Sequence, residues 1–284
     1  MSTALMRLTT GAELTELDTM IMAEMADEQT AFDVDLPRIK IAPGGIGQFQ
    51  IGDDVAKSFT AIVAISQKVR GYWPRKESGA APPVCSSNDS IFGIFNANLS
   101  QGEFESAASA PMPHPAIPLL SRKQPLPDGW ECAHCPMAQW GSAHQGGAGR
   151  SQACKLMVRL LVIVDGYRLP AIMSLPPTSL TPWGGYCSAL MSKGAHYFTV
   201  RTRFDLDKTQ TATGIVYNTV KVGLAGPLTP DEIRAVMELR REYGGLVRGV
   251  GVSGAEYSNA TGGGDVVEGA VTQAAAQATE DVPF

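Results

Sequence analysis

Five cysteines carry the chemistry that is easiest to read in this chain: Cys85, Cys132, Cys135, Cys154 and Cys187. Cys132-Ala-His-Cys135 is a C-x2-C pair, a spacing that lets two thiolates from one tight turn reach the same ion. Cys154 follows 19 residues later and Cys85 precedes the pair. Four thiolates around Zn²⁺ at ~2.3 Å form a closed structural site, so the expected ligands are Cys85, Cys132, Cys135 and Cys154. Such a staple would tie a Pro-rich insertion to the start of a strand. His134 or His144 is the alternative fourth ligand, because Cys85 is distant in sequence, and Cys187 is left out as a small hydrophobe. A disulfide is disfavoured in a reducing compartment, and a redox C-x2-C wants a βαβ context that is missing here. Catalytic zinc would bring an H-x-E or H-E-x-x-H pattern, which the chain lacks. No active site is expected.

A second set of residues suits a polyanion. Single strands of nucleic acid are held by basic grooves and by aromatic rings on which bases stack. Lys68, Arg70 and Tyr72 alternate along one apparent strand and are followed by Trp73, Arg75 and Lys76. In 196–204, read as a strand, Tyr197, Arg201 and Arg203 share a face. In 214–223, Tyr217 and Lys221 do the same. Lys155, Arg159, Trp140 and Arg150 extend the candidate groove. Any one such face is simply a solvated surface; the repetition over three strands carries the expectation. His114, inside the Pro-rich stretch, conveys nothing by itself.

These groups need elements to hold them. Residues 11–25 have helical spacing and an acidic polar side. An entry strand covers 36–41, and a long Val/Ile-rich strand covers 59–73. Asp165-Gly166 between apolar runs at 155–164 and 167–174 reads as a type I′ hairpin. Pro170 puts the second run at a sheet edge. A short helix fits 180–192. Thr229-Pro230-Asp231-Glu232 is a capping box opening a helix that Gly244-Gly245 should end. Six prolines in 101–129 argue against regular structure there. The fold class expected is therefore mainly β, an OB-like barrel with a zinc-stapled insertion and peripheral helices. Three regions follow: an acidic arm at 1–35, the barrel at 36–245, and a Gly/Ala-rich flexible tail at 246–284.

Charge follows the same division. The net charge is −5, yet 36–245 holds 21 bases and 15 acids, while both ends are acidic. A basic middle between acidic ends suits an anion-binding core with tails that do not bind the same anion. No apolar run approaches the ~18 residues that span a bilayer and no basic-then-apolar leader opens the chain. A cytoplasmic location with no membrane partner is expected.

The final residues, Glu280, Asp281, Val282, Pro283 and Phe284, follow that flexible stretch. This ending resembles the tails of bacterial single-stranded-DNA-binding proteins, which close on acids and then Ile-Pro-Phe. A terminal Phe can enter an apolar pocket while its carboxylate and the acids meet Arg or Lys on a partner. The core, with its Cys cluster, departs from that compact family. It is more similar to phage single-stranded-DNA-binding proteins, some of which place a zinc staple in an OB fold. Residues 132–136, 140–142 and 175–180 carry that likeness. The resemblance implies a non-enzymatic coat for single strands in replication, recombination and repair that recruits enzymes through its tip. The alternatives are a strand-annealing mediator, a pure adaptor, or a zinc-dependent nucleic-acid enzyme using Asp205 and Asp207. Oligomeric state is left open.

Overall fold

The structure is a computed structural model that describes residues 20, 36–42, 46–73, 82–96, 99–109, 114–121, 129–143, 151–167, 169–210 and 216–252. Apart from residue 20, the expected helix at 11–25 lies outside these residues, as does the C-terminal tip. The described chain is mainly β and forms an open mixed sheet. Its strands are β1 Arg38–Ile41, β2 Phe49–Ile51, β3 Asp54–Ala56, β4 Ser58–Tyr72, β5 Cys85–Ser87, β6 Phe92–Phe95, β7 Trp130–Glu131, β8 Cys154–Val164, β9 Ala171–Leu175, β10 Val200–Gln210 and β11 Val216–Pro227. The helices are α1 Gln101–Ala108, α2 Ala116–Ser121, α3 Leu180–Ser192 and α4 Pro230–Gly249. Neighbours run β3-β2-β1-β9-β8-β4-β5-β6-β7, with β10 on the other part of β4 and β11 on β10. Among the described residues only β1 and β9 pair in parallel.

Strand β4 organises this path. Along one edge it pairs with β8 from Ala61↔Val164 to Tyr72↔Cys154. Along the other it pairs first with β10, at Ser58–Ile62, and then with β5, at Arg70–Tyr72. An irregularity between Val63 and Ile65 adds one residue to β4, and a bulge bends a strand and resets which side chains share a face. Ala61 and Val63 face one core with Val162, Val164, Phe59 and Phe204. Ile62 and Ala64 face a second core, where α4 contributes Val236, Leu239, Tyr243 and Val247. Phe59 stacks on Phe204 at 4.9 Å and meets Phe49 edge-on at 4.9 Å, contacts worth about 0.5–1.5 kcal/mol each beyond area burial.

Several expectations change. The turn at Asp165-Gly166 has positive φ only at Gly166 (87°), and Tyr167 N–H donates to Val164 O at 3.0 Å. That is the pattern of a type II rather than a type I′ turn, and it suits the wide connection that rejoins at Val162↔Ala171. Strand β9 is not at an edge: Pro170 precedes it, and β8 and β1 flank it. The Pro-rich stretch contains α1, in a segment free of proline, and α2, whose Pro118 sits in the first turn where no N–H is needed. Residues 196–199 are not strand; a 3₁₀ turn occupies Tyr197–Thr199 and β10 starts at Val200.

Helix α4 begins as expected and ends later. Thr229 Oγ1 accepts from Glu232 N–H at 3.3 Å, and Glu232 Oε2 accepts from Thr229 N–H at 2.7 Å. The helix passes through Gly244-Gly245 because Val247 is buried against the sheet and because Arg159 takes up its end. Arg159, on β8, is fully buried. It donates to Val247 O at 3.3 Å, Val250 O at 2.7 Å and Gly251 O at 3.3 Å. A guanidinium at a helix C-terminus satisfies orphan carbonyls and opposes the helix dipole.

Two outcomes are expected from this clasp and cap. Arg159→Met keeps the aliphatic stem and strands three carbonyls, costing about 3 kcal/mol; urea unfolding with an unchanged midpoint would refute the clasp. Glu232 is held below its ordinary 4.5: burial raises it, but the Thr229 N–H, the Thr229 hydroxyl and Arg201 outweigh that. A depressed carboxyl stabilises above the unfolded pKa, and this contribution is lost as pH falls through the folded value. Glu232→Gln should therefore flatten the fall in stability below pH ~4.5, measured by urea titration at stepped pH.

Candidate metal centre

The chain enters a small lobe where β4 ends. Tyr72 pairs with Cys85 on one side and Cys154 on the other, so two of the four expected ligands flank one strand terminus. Strand β5 pairs with β6, and β6 with β7, which delivers the chain to the Cys132–Cys135 turn. In that turn Cys135 N–H donates to Cys132 O at 3.3 Å, and Cys132 N–H donates to Ile91 O at 2.7 Å. Val84, Phe95, Ile117, Met137 and Ala138 form the apolar packing of the lobe.

Cys85, Cys132, Cys135 and Cys154 all line one cavity of about 10 Å³, together with Arg70, Tyr72, His114 and Trp130. That is roughly the room of one water-sized sphere. The sulfurs share this space without being drawn together: among the described residues no three His, Cys, Asp or Glu side chains make a ready metal-binding group. Gly93 sits against two of the sulfurs. A β-carbon there would lie 2.9 Å from Cys85 Sγ and 3.7 Å from Cys132 Sγ, so this position tolerates no side chain without displacing Cys85.

Burial and neighbouring sulfurs raise three of these thiols. Burial, and then the fields of Cys154, Cys135 and Cys132, push the Cys85 thiol far up. Burial pushes Cys154 up to about 12, against the pull of Arg70. Cys132 is raised by burial and relieved by Ser87 and Arg70. Tyr72 is pushed up to about 12, first by burial and then by Cys154 and Cys135. Cys187 lies apart, packed on the core that holds Trp183 and Phe204. His134 is exposed and paired with Glu131 at 2.9 Å, and His144 lies outside the described residues.

The expected nucleic-acid residues scatter. Tyr72 (3% exposed), Trp73 (6%) and Tyr217 (3%) are core residues and offer no ring face to a base. Trp73 packs with Val69, Met157 and Val252, and its ring lies over Gly71. Arg159 is the buried clasp of α4. Arg70 lines the cysteine cavity and donates to Ser90 Oγ at 3.1 Å. Arg201 is held between Asp165 and Glu232. Tyr197 sits in the 3₁₀ turn, against Trp183 and beneath Arg240. Arg203 pairs with Asp205 at 2.9 Å, and Lys221 pairs with Asp207; both bases are exposed. Those pairings occupy the two acids considered as enzyme ligands. Lys68 is exposed and Lys155 half-buried, while Arg75 and Arg150 lie outside the described residues. Period-2 alternation identified shared faces but not which face is covered.

Sequence reasoning missed His114, which is 1% exposed in the cavity wall. It also missed the exposed ring of Phe92 (57%), which joins Trp140 (62%) on the lobe. Only the chain's return through 114 and 130 reveals the first, so no local signal pointed to it. Comparison with protein-family models, with curated proteins and with solved structures finds no match.

Gly93→Ala should loosen the lobe. Amide exchange across the β5–β6 pairing should accelerate, whereas Gly102→Ala, which has open space, should leave it unchanged. Equal protection in both variants would show that Cys85 is not confined by Gly93.

Proposed function

We propose that this chain binds single-stranded DNA through an OB-like barrel stapled by one structural Zn²⁺, and that it recruits partner proteins through its C-terminal tip. The observation that carries the barrel reading is the order of five strands. Strand β4 pairs with both β8 and β10, β8 continues to β9, α3 separates β9 from β10, and β11 follows on β10. At the turn after β9, Ser179 Oγ accepts from Val220 N–H of β11 at 2.9 Å, a side-chain bond standing where strand pairing would close the circle. An OB fold is a partly open five-stranded Greek-key barrel. The donor set also fits zinc: four thiols share an ion-sized cavity, and soft thiolates suit a closed tetrahedral Zn²⁺. Bound there, the ion would supply cross-linking and no chemistry. Among the described residues, no helix is long and apolar enough to cross a membrane.

The contact surface differs from the one alternation suggested. Lys68 supplies exposed positive charge, and Trp140 and Phe92 supply exposed rings. Arg203 and Lys221 join them, because exposed ion pairs are worth only ~0–1 kcal/mol and phosphate can compete. The acidic tip, Glu280 to Phe284, leaves the groove to DNA and takes partners by its terminal ring and carboxylate.

Fluorescence anisotropy with single-stranded and duplex oligonucleotides across a salt series tests this directly. Single strands should bind more tightly, with log K falling by about 0.7 per contacted phosphate for each log unit of salt. Trp140→Ala should cost about 1–3 kcal/mol of binding, whereas Tyr217→Ala should act on stability. Removing 276–284 should leave DNA binding intact and abolish capture of replication or repair enzymes. Equal affinity for duplex and single strand would overturn the proposal, and metal-free protein prepared without chelator would overturn the staple.

A further inference from the structure

Two ring N–H groups in the wall of the cysteine cavity have no acceptor among the described residues. His114 Nδ1 accepts the Ala116 N–H at 3.1 Å. In a neutral imidazole that bond leaves the proton on Nε2, making Nε2 a donor rather than a metal ligand. Among the described residues neither His114 Nε2 nor Trp130 Nε1 meets a hydrogen-bond partner, and both atoms are buried. The two rings meet edge to face at 5.3 Å and 89°, and both line the cavity that the four cysteines share. A buried donor left unpaired costs about 1–3 kcal/mol, so two side by side call for an occupant that accepts. Arg70 is a third donor in the same wall, and it pulls the Cys154 thiol down against burial.

We propose that His114 Nε2–H and Trp130 Nε1–H are positioning groups of the metal centre: they donate to the cysteine thiolates and, with Arg70, offset the charge of the four-sulfur site. Four thiolates around one divalent ion carry a net charge of −2, which is costly in a buried lobe without surrounding donors. Outer donors also orient the ligands and are worth about 10–100-fold in metal affinity. This inference rests on the zinc reading and is tested separately from it.

The experiment compares the full chain with Trp130→Phe, His114→Phe and His114→Gln, loaded with Zn²⁺ or Co²⁺. Zinc affinity is read by chelator competition and the sulfur-to-cobalt charge-transfer band by absorption. Both Phe variants should still bind one ion, about 10–100-fold more weakly, with a shifted band. His114→Gln restores an N–H donor and an acceptor, and should recover most of the affinity. Wild-type affinity and an unshifted band in both Phe variants would overturn the inference alone. Equal loss in His114→Gln and His114→Phe, with the band unmoved, would reduce His114 to packing and overturn its part. A wild-type chain that binds neither metal would overturn the zinc reading and this inference with it.

Discussion

The β4–β8 ladder is the interaction on which the rest of this structure depends. It runs from Ala61↔Val164, inside the main sheet core, to Tyr72↔Cys154, inside the cysteine lobe. One antiparallel pair therefore spans both cores and sets the distance between them. The added residue near Ala64 bends it, and a bent strand can serve two partners on its free edge, β10 early and β5 late. Without that added residue, the same side-chain face could not pass from Val63 in the main sheet to Tyr72 in the lobe.

The two faces of this ladder are covered differently. One is closed by β10, β11 and α3, with Trp183 and Phe204 among the packed side chains. The other is closed by α4, whose apolar side lies on Ile62, Leu161 and Ile163. Covering both faces leaves a buried strand position for a cation only if it meets acceptors. Arg159 meets them in the carbonyls at the end of α4, so a charge inside the sheet becomes a clasp. The helix end then lies where the chain leaves for its acidic tail.

The lobe solves a different problem. Strands β5, β6 and β7 are three, four and two residues long, too short to stand alone. Their packing around Phe95, Ile117 and Met137 is small, and a shared ion bound by Cys85, Cys132, Cys135 and Cys154 would cross-link it. Burial of free thiols with raised pKa values has no such benefit, because neutral sulfur adds little beyond its hydrophobic area.

Much was legible from the residues alone, where local physics decides. Apolar-rich runs marked β4 and β8. The capping box marked the start of α4, since its hydrogen bonds join residues three apart. Helix α3 fell at 180–192, in the stretch left between the hairpin and the next strand. The C-x2-C pair marked a tight turn, and that turn lines the shared cavity. Distant pairing was not legible. Cys85 reaches Cys154 only because both flank Tyr72 in the sheet, and His114 reaches the cavity only through the packing of α2 and β7. Alternation correctly grouped Lys68, Arg70 and Tyr72 on one side of β4, yet only tertiary structure determined that this side runs into a buried cavity. A strand pattern specifies which side chains share a face; what covers that face is decided by elements far away in the chain, whose burial sets the energy.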